Sequence, residues 1–313
     1  MTIEKKNAGL MLGLAVLAIL PFVTSGYAIF VVNLLLVYLV LALGLHIVIG
    51  EAGQFSFAHT AFYGVGIYTA GILNNAFHLP FVLTIFMGGL LAALIGLAVG
   101  GLALRMRDIY LALVTFAFGE VMQWVFLNWT SLTGGSSGMR MTPANLFGYE
   151  VVTDKQAYLF VVVFAALFIW ATIHISRSRL GMSMRAVRES EVAAMAMGVN
   201  VQRIKISAFA ISAFYAGCAG GMFTLFSSFI HPESLGLQTT IMILIMIVVG
   251  GLGSVYGAIG GAIVFGLLFE ALRSIHAGQE IVYGAVLMLC MMYAPRGVLA
   301  FFVERVNLSR KSQ

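Results

Sequence analysis

Few residues in this 313-residue chain have side chains that do chemistry, and they gather in a handful of places. The segment 50–71, GEAGQFSFAHTAFYGVGIYTAG, sets Glu51, Gln54, Ser56 and His59 among glycines. Polar side chains beside Gly-broken backbone can line a solute path. The same glycines can instead serve only to let helices approach closely. The segment 130–139, TSLTGGSSGM, offers Thr133, Gly134 and Gly135. Such a loop can turn backbone N–H groups toward a carboxylate, or it can be an ordinary surface connection. A second Gly-rich break, VVGGLGSVYGAIGGA at 248–262, contains Gly250, Gly251 and Gly253. Two isolated acids, Glu120 and Glu270, fall inside or near the end of apolar runs. Carboxylates in such places act as ion relays, or sit protonated in a structural role. His59 has no second His or Cys at ligand spacing, so an interior hydrogen bond is expected and a metal is not. No GxxxxGK[ST] occurs, which excludes nucleotide binding through a P-loop. No nucleophile–base arrangement stands out, so neither an enzyme nor a resident cofactor is expected.

The elements that must position these residues are set by composition. Of the chain, 61% is hydrophobic and 9% charged, against about 25% charged in a soluble domain. Lipid must therefore act as solvent. Apolar runs close to the length of a bilayer span lie at 10–23, 28–49, 81–104, 109–129, 157–175, 206–230, 237–252, 255–272 and 281–294. Backbone in lipid has to satisfy itself, which predicts helices. The period-2 alternation of a barrel is missing from runs such as FVVNLLLVYLVLALGL. The expected fold is an all-α integral membrane protein, a polytopic helical bundle of about 8–10 transmembrane segments in one domain over 1–313. Lys5 and Lys6 before 10–23 resemble a signal peptide, but a second apolar run follows at once and favours an uncleaved span. Cys218 and Cys290 both sit in apolar runs and are expected to pack there.

Charge sets the sidedness. The segment 176–205 holds Arg177, Arg179, Arg185, Arg188, Arg203 and Lys205 against Glu189 and Glu191. Cytoplasmic loops are rich in Lys and Arg, so this loop is expected inside. Arg105 and Arg107 place their loop there too, as do Lys5 and Lys6 at one end of the chain and Arg305, Arg310 and Lys311 at the other. The balanced 130–156 is expected outside. The net charge of +5 thus serves topology, and no nucleic acid is expected. Within the basic loop, GMSMRAVRESEVAAMAMG predicts one amphipathic helix with Met184, Val187, Ala194 and Met197 on a common face. Gly198 stands where a left-handed cap would end it. Such a helix can dock into a partner's groove, lie on lipid headgroups, or remain solvated.

Six stretches in fixed order carry a family resemblance: GEAGQFSFAHTAFYGVGIYTA, LRMRDIYLALVTFAFGEV, LTGGSSGM, SRLGMSMRAVRESEVAAMAMGVNVQRIKISAFAISAFYAGCAGG, IMIVVGGLGSVYGAIGGA and APRGV. From about residue 30 to 300 the chain resembles the inner-membrane permease subunits of branched-chain amino acid ABC importers, in particular the longer of the two paired permeases. The resemblance implies that the basic loop carries the coupling helix. Arg185, Arg188, Glu189, Glu191, Ala193, Ala194, Met197 and Gly198 would then face an ATPase subunit. Glu191, Ala193, Ala194 and Gly198 resemble the EAA-type signature of importer permeases, with Val192 inserted between Glu191 and Ala193. The implied partners are a second permease, two ABC ATPase subunits that use the ATP, and a periplasmic or extracytoplasmic substrate-binding protein. The implied location is a bacterial-type inner membrane, with both termini cytoplasmic. The path candidates are Gln54, Ser56, His59, Glu120, Thr133, Gly134, Gly135, Gly250, Gly251 and Gly253. An alternative from another class is a proton- or sodium-coupled secondary carrier using Glu120, Glu270 or His59.

Overall fold

The structure, a computed structural model, describes residues 26–272 apart from 105, 107, 108, 147 and 148, together with 284, 285, 288 and 292. The expected runs at 10–23 and 281–294, the charges at both termini, Arg105, Arg107 and Cys290 lie outside the described residues.

The helices are α1 (Gly26–Leu45), α2 (His59–Phe77), α3 (Phe81–Ala103), α4 (Ile109–Asn128), α5 (Thr130–Thr133), α6 (Asp154–Arg177), α7 (Arg179–Glu189), α8 (Glu191–Ala196), α9 (Val201–Phe223), α10 (Leu237–Gly250) and α11 (Val255–Leu272). A π-helical turn, His46–Glu51, continues α1. Among the described residues, six stretches are long and apolar enough to cross a membrane: Gly26–Glu51, Phe81–Leu102, Ile109–Asn128, Asp154–Arg177, Val201–Phe223 and Val255–Leu272. With the Gly-rich α2 and the shorter apolar α10, they account for every apolar run predicted between 28 and 272. The chain is a multi-pass, all-α membrane protein.

Local chemistry explains where the helices start and stop. Gln156 reaches back to accept from the N–H groups of Val152 and Thr153, at 3.1 and 3.2 Å, at the start of α6. Three successive polar residues cap the loop helices. Ser178 accepts from Gly181 N–H, Ser190 from Ala193 N–H at 3.2 Å, and Asn200 from Arg203 N–H at 3.0 Å. Pro80 follows the left-handed His78 and leads into α3, so the turn after α2 is sharp.

Helix α9 is the axis of the bundle, packed on α3, α2 and α1. Two thirds of its apolar window, 67%, is buried. The crossing with α2 is set by glycine. A Cβ on Gly66 would collide with the backbone of Gly217, and one on Gly88 would lie 2.9 Å from the Gly66 carbonyl oxygen. Small residues let helices associate in lipid, where apolar burial alone gives no preference for a neighbour over a lipid tail. Cys218 is a free thiol buried in this seam, as the sequence led us to expect. Helices α10 and α11 form a hairpin on α1. Helix α4 is peripheral, with 17% of its window buried. The side chains of Leu83, Leu90, Leu94, Leu113, Val121 and Trp124 point away from the bundle, as lipid-facing residues do.

The chain crosses back and forth between two faces. The connections 52–58, 178–200 and 251–254 share one, the loop face. The connections 78–80, 129–153 and 224–236 share the other, the strand face. Two short antiparallel pairs lie there: β1 (Met139–Arg140) with β4 (Phe229–Ile230), and β2 (Ala144–Leu146) with β3 (Tyr149–Val151). Three of these strands belong to 130–156, the connection predicted to lie outside, whereas β4 corrects the predicted run 206–230, whose helix ends at Phe223 so that Phe229–Ile230 is a strand. Asn74 and Asn75 at the end of α2 hold Thr142. Asn75 accepts from the Thr142 N–H and hydroxyl at 2.9 and 2.8 Å, and Asn74 donates to the Thr142 carbonyl at 2.9 Å.

Candidate functional site: a charged latch beneath the loop helices

The expected amphipathic helix is two helices. Ser190 leaves helical geometry (φ −162°, ψ 114°) and caps α8, so the phase of α7 does not carry through. Met184, Val187 and Ala194 are buried as predicted, and Val187 and Ala194 form a small cluster with Val201. Met197 is the correction. It lies past the end of α8, is 85% exposed, and does not share the buried face. Val192 and Met195 are exposed beside it. Gly198 takes the left-handed conformation expected of a cap (φ +82°), and a Cβ there would meet nothing within 4 Å.

The α7–α8 pair is fastened to the π turn of the first span. Arg185 Nη1 donates to Glu51 Oε2 at 2.8 Å and to the Ser176 carbonyl at 2.8 Å. The Ser176 hydroxyl donates to Glu51 Oε1 at 2.5 Å. Buried His46 approaches the same carboxylate, Nε2 to Oε1, at 3.7 Å. Arg188 donates to the Gly50 carbonyl. A carboxylate taken out of water needs this many partners to remain an anion. On the far side of the pair, Lys205 of α9, itself buried, reaches Glu191 at 2.6 Å. Glu189 is exposed, and Ala193 lies on the outer side of α8. The latch was not legible as a unit, because Glu51 and Arg185 stand 134 residues apart. The one available signal was an acid in a Gly-broken apolar segment and a surplus of arginine in a distant loop.

The path candidates are dispersed. Gln54 and Ser56 are buried in the 52–58 connection, where Ser56 Oγ accepts from Ala58 N–H at 3.4 Å. His59 is buried where α1, α2 and α9 meet. It donates from Nε2 to the Leu41 carbonyl at 2.8 Å, and the Ser212 hydroxyl lies 3.3 Å from Nδ1. The structure thus gives it the interior hydrogen-bonded role expected of it. Thr133 is buried and donates to the carbonyls of Phe126 and Trp129, both at 2.8 Å, closing the end of α4. Gly134 and Gly135 carry the left-handed turn that follows. Gly250 is part of the α10–α11 seam, where a Cβ would strike Gly257, while Gly251 turns the chain at φ +108° and Gly253 is open. The two Gly-rich breaks touch each other: a Cβ on Gly50 would lie 2.5 Å from the Leu252 carbonyl oxygen. Glu120 is exposed at the edge of a small cleft that α4 forms with α2 and the start of α10, and Glu270 accepts from the Tyr27 hydroxyl at the strand-face end of α11. Glu120, Glu270 and His59 therefore do not converge on an ion site. Among the described residues, no group of His, Cys, Asp and Glu could hold a metal.

Comparison with known proteins agrees with this architecture. The family described as branched-chain amino acid transport system / permease component matches residues 27–294. The high-affinity branched-chain amino acid transport system permease protein LivM of Escherichia coli is 32% identical over 95% of this chain and 76% of its own length. LivM of Salmonella typhimurium is 31% identical over 98% and 78%. The permease protein LivH of Escherichia coli is 29% identical over 84% and 91%. No solved structure matches the chain. With a family match across most of its length and this identity to LivM, the chain belongs to the permease component family of branched-chain amino acid transport systems.

Proposed function

We propose that this chain is a permease subunit of an ATP-driven importer in a bacterial-type inner membrane, carrying branched-chain amino acids inward. The basic loop face is cytoplasmic, by the excess of Arg and Lys on it. The chain acts as one membrane unit and leaves ATP hydrolysis to two separate ATPase subunits. The observation that carries this reading is the α7–α8 pair. It is clamped to the first span by Glu51 and Arg185, yet presents Val192, Met195 and Met197 outward. A fixed helix pair with exposed apolar knobs suits insertion into a partner's groove. ATP binding would draw the partner subunits together, and the latch would pass that movement to the π turn and so to the bundle.

A second permease is supported by α4. A carboxylate facing lipid is costly, so intramembrane acids almost always face protein or a water-filled cavity. Within this chain Glu120 is exposed and only edges a cleft of about 10 Å³, too small to solvate a carboxylate, and α4 is the least buried of the spanning stretches among the described residues. We place the paired permease against it. A binding protein would then deliver solute at the strand face.

The test is reconstituted uptake with the Gly198→Trp substitution. A Cβ at Gly198 meets nothing within 4 Å, so the added side chain starts into open space. Gly198→Ala controls for the left-handed backbone. The expected result is ATP hydrolysis that persists in the Trp variant while leucine uptake falls at least tenfold, with the Ala variant near normal. Normal uptake in a well-assembled Gly198→Trp complex would sink the docking role.

A further inference from the structure

Between the 52–58 connection and the α7–α8 pair lies a cleft of about 280 Å³. Drug-sized pockets run from about 300 to 1,000 Å³, so this one is scaled for a single small solute and not for a nucleotide. Gln54 lines it. That side chain is 6% exposed, and its Oε1 is buried with no hydrogen-bond partner in the chain. Buried amide oxygens are nearly always satisfied, so an orphan on a residue that lines a cleft leaves a place there for a donor.

The other walls define what the donor belongs to. Glu189 lines the cleft and forms no ion pair among the described residues, whereas Glu191 is occupied by Lys205. Arg188 bonds the Gly50 carbonyl through Nη1, and its guanidinium has further donors. Phe55, Met106 and Leu111 supply an apolar side, and Val192 and Met195, which also face outward toward the partner's groove, complete the rim. A cationic donor suits Gln54 Oε1 and Glu189, an anion suits Arg188, and an alkyl group suits the apolar wall. A small zwitterion with a hydrophobic side chain satisfies all three together.

We propose that this cleft binds a free hydrophobic α-amino acid on the loop face, and that occupancy slows transport by holding the latch helices against the 52–58 connection. The inference rests on the transport reading above and deepens it. The released solute would restrain the same helices that the ATPases must move, and uptake would fall as the solute accumulates. Two features couple the site to the latch. Arg188 shares α7 with Arg185, and Gln54 follows Glu51 by three residues.

The experiment uses the complete assembly in lipid nanodiscs, without ATP and without a binding protein, and measures equilibrium binding of radiolabelled L-leucine. Saturable binding is expected. L-Isoleucine should compete. Leucinamide, which lacks the carboxylate, and 4-methylpentanoate, which lacks the ammonium, should not. Gln54→Leu should weaken binding at least tenfold. Phe55→Ala, at a half-exposed loop position, should weaken it severalfold and decides the matter if the first variant does not assemble. In proteoliposomes, leucine on the ATPase side should slow uptake severalfold in the unaltered assembly, and less in either variant. No saturable binding by an assembly that still takes up leucine with ATP would overturn the site and leave the transport reading standing. Undiminished affinity in both variants would also overturn it, by placing the solute elsewhere. Absence of ATP-driven uptake of all three branched-chain amino acids would overturn both readings together.

Discussion

The two faces of the bundle are closed by different chemistry. On the loop face one carboxylate, Glu51, gathers Ser176, Arg185 and His46, and a second ion pair joins Glu191 to buried Lys205. On the strand face the fastenings are spread out and, apart from the Tyr27 hydroxyl on Glu270, made by neutral groups. Two short β pairs, the Asn74 and Asn75 amides on Thr142, and the Thr133 hydroxyl on the end of α4 share the task. Charge-assisted bonds are roughly twice as strong as neutral ones, and on the loop face most of them meet at Glu51. A face held by one centre can be released by acting on that centre. A face held by many weak bonds gives way only piecemeal. The contrast assigns transmission of force to the loop face and a steady frame to the strand face.

Breaking that contrast begins with its strongest contact. Arg185→Met leaves Glu51 buried with only Ser176 and His46. Removing one partner of a buried pair costs about 3–5 kcal/mol, and the half-exposed arginine moderates this to about 2–3. Tryptic cleavage within 177–205 should accelerate while the strand face keeps its protection. Equal cleavage rates in the two proteins would show that the latch does not hold the loop. On the opposite face, Asn75→Ala removes two bonds from Thr142 and one to the Arg140 carbonyl at 2.8 Å. Because the site is partly solvated, the expected cost is about 1–2 kcal/mol, seen as a lower thermal midpoint with loop cleavage unchanged. A faster loop cleavage there would mean that the two faces are not separable. The smallest effect belongs to Ser190→Ala, which removes the cap of α8 at about 1 kcal/mol. Hydrogen exchange should rise at the Ala193 amide and its neighbours, and stay level in α7.

Much of the fold could be read from the chain because lipid imposes a simple rule. Apolar runs between 28 and 272 became helices within a few residues of their predicted limits, except 206–230, whose helix runs Val201–Phe223, and the Gly198 cap followed from one residue type. What was not legible depended on long-range partners. The helix pair was expected as one because the apolar spacing 184, 187, 194 and 197 fits a single face. Ser190 prefers its cap and resets the phase, which exposes Met197. The glycines at 64, 66 and 250 could equally have lined a path. Only their neighbours Phe126, Gly217 and Gly257 reveal close packing. Glu51 was visible among the polar residues of the first break, but nothing local pointed to Arg185 as its partner.

The π turn at His46–Glu51 carries more residues per revolution than the α-helix it extends. That surplus is slack wound into the inner end of the first span. Drawing the turn out into regular α geometry would rotate whatever follows by about 100° for each residue taken up. The Glu51 carboxylate would swing away from the Arg185 guanidinium, and the 52–58 connection would turn with it. The first span thus behaves as a screw with one thread of play, so that a modest tug on the loop helices becomes a twist at the level of Gln54.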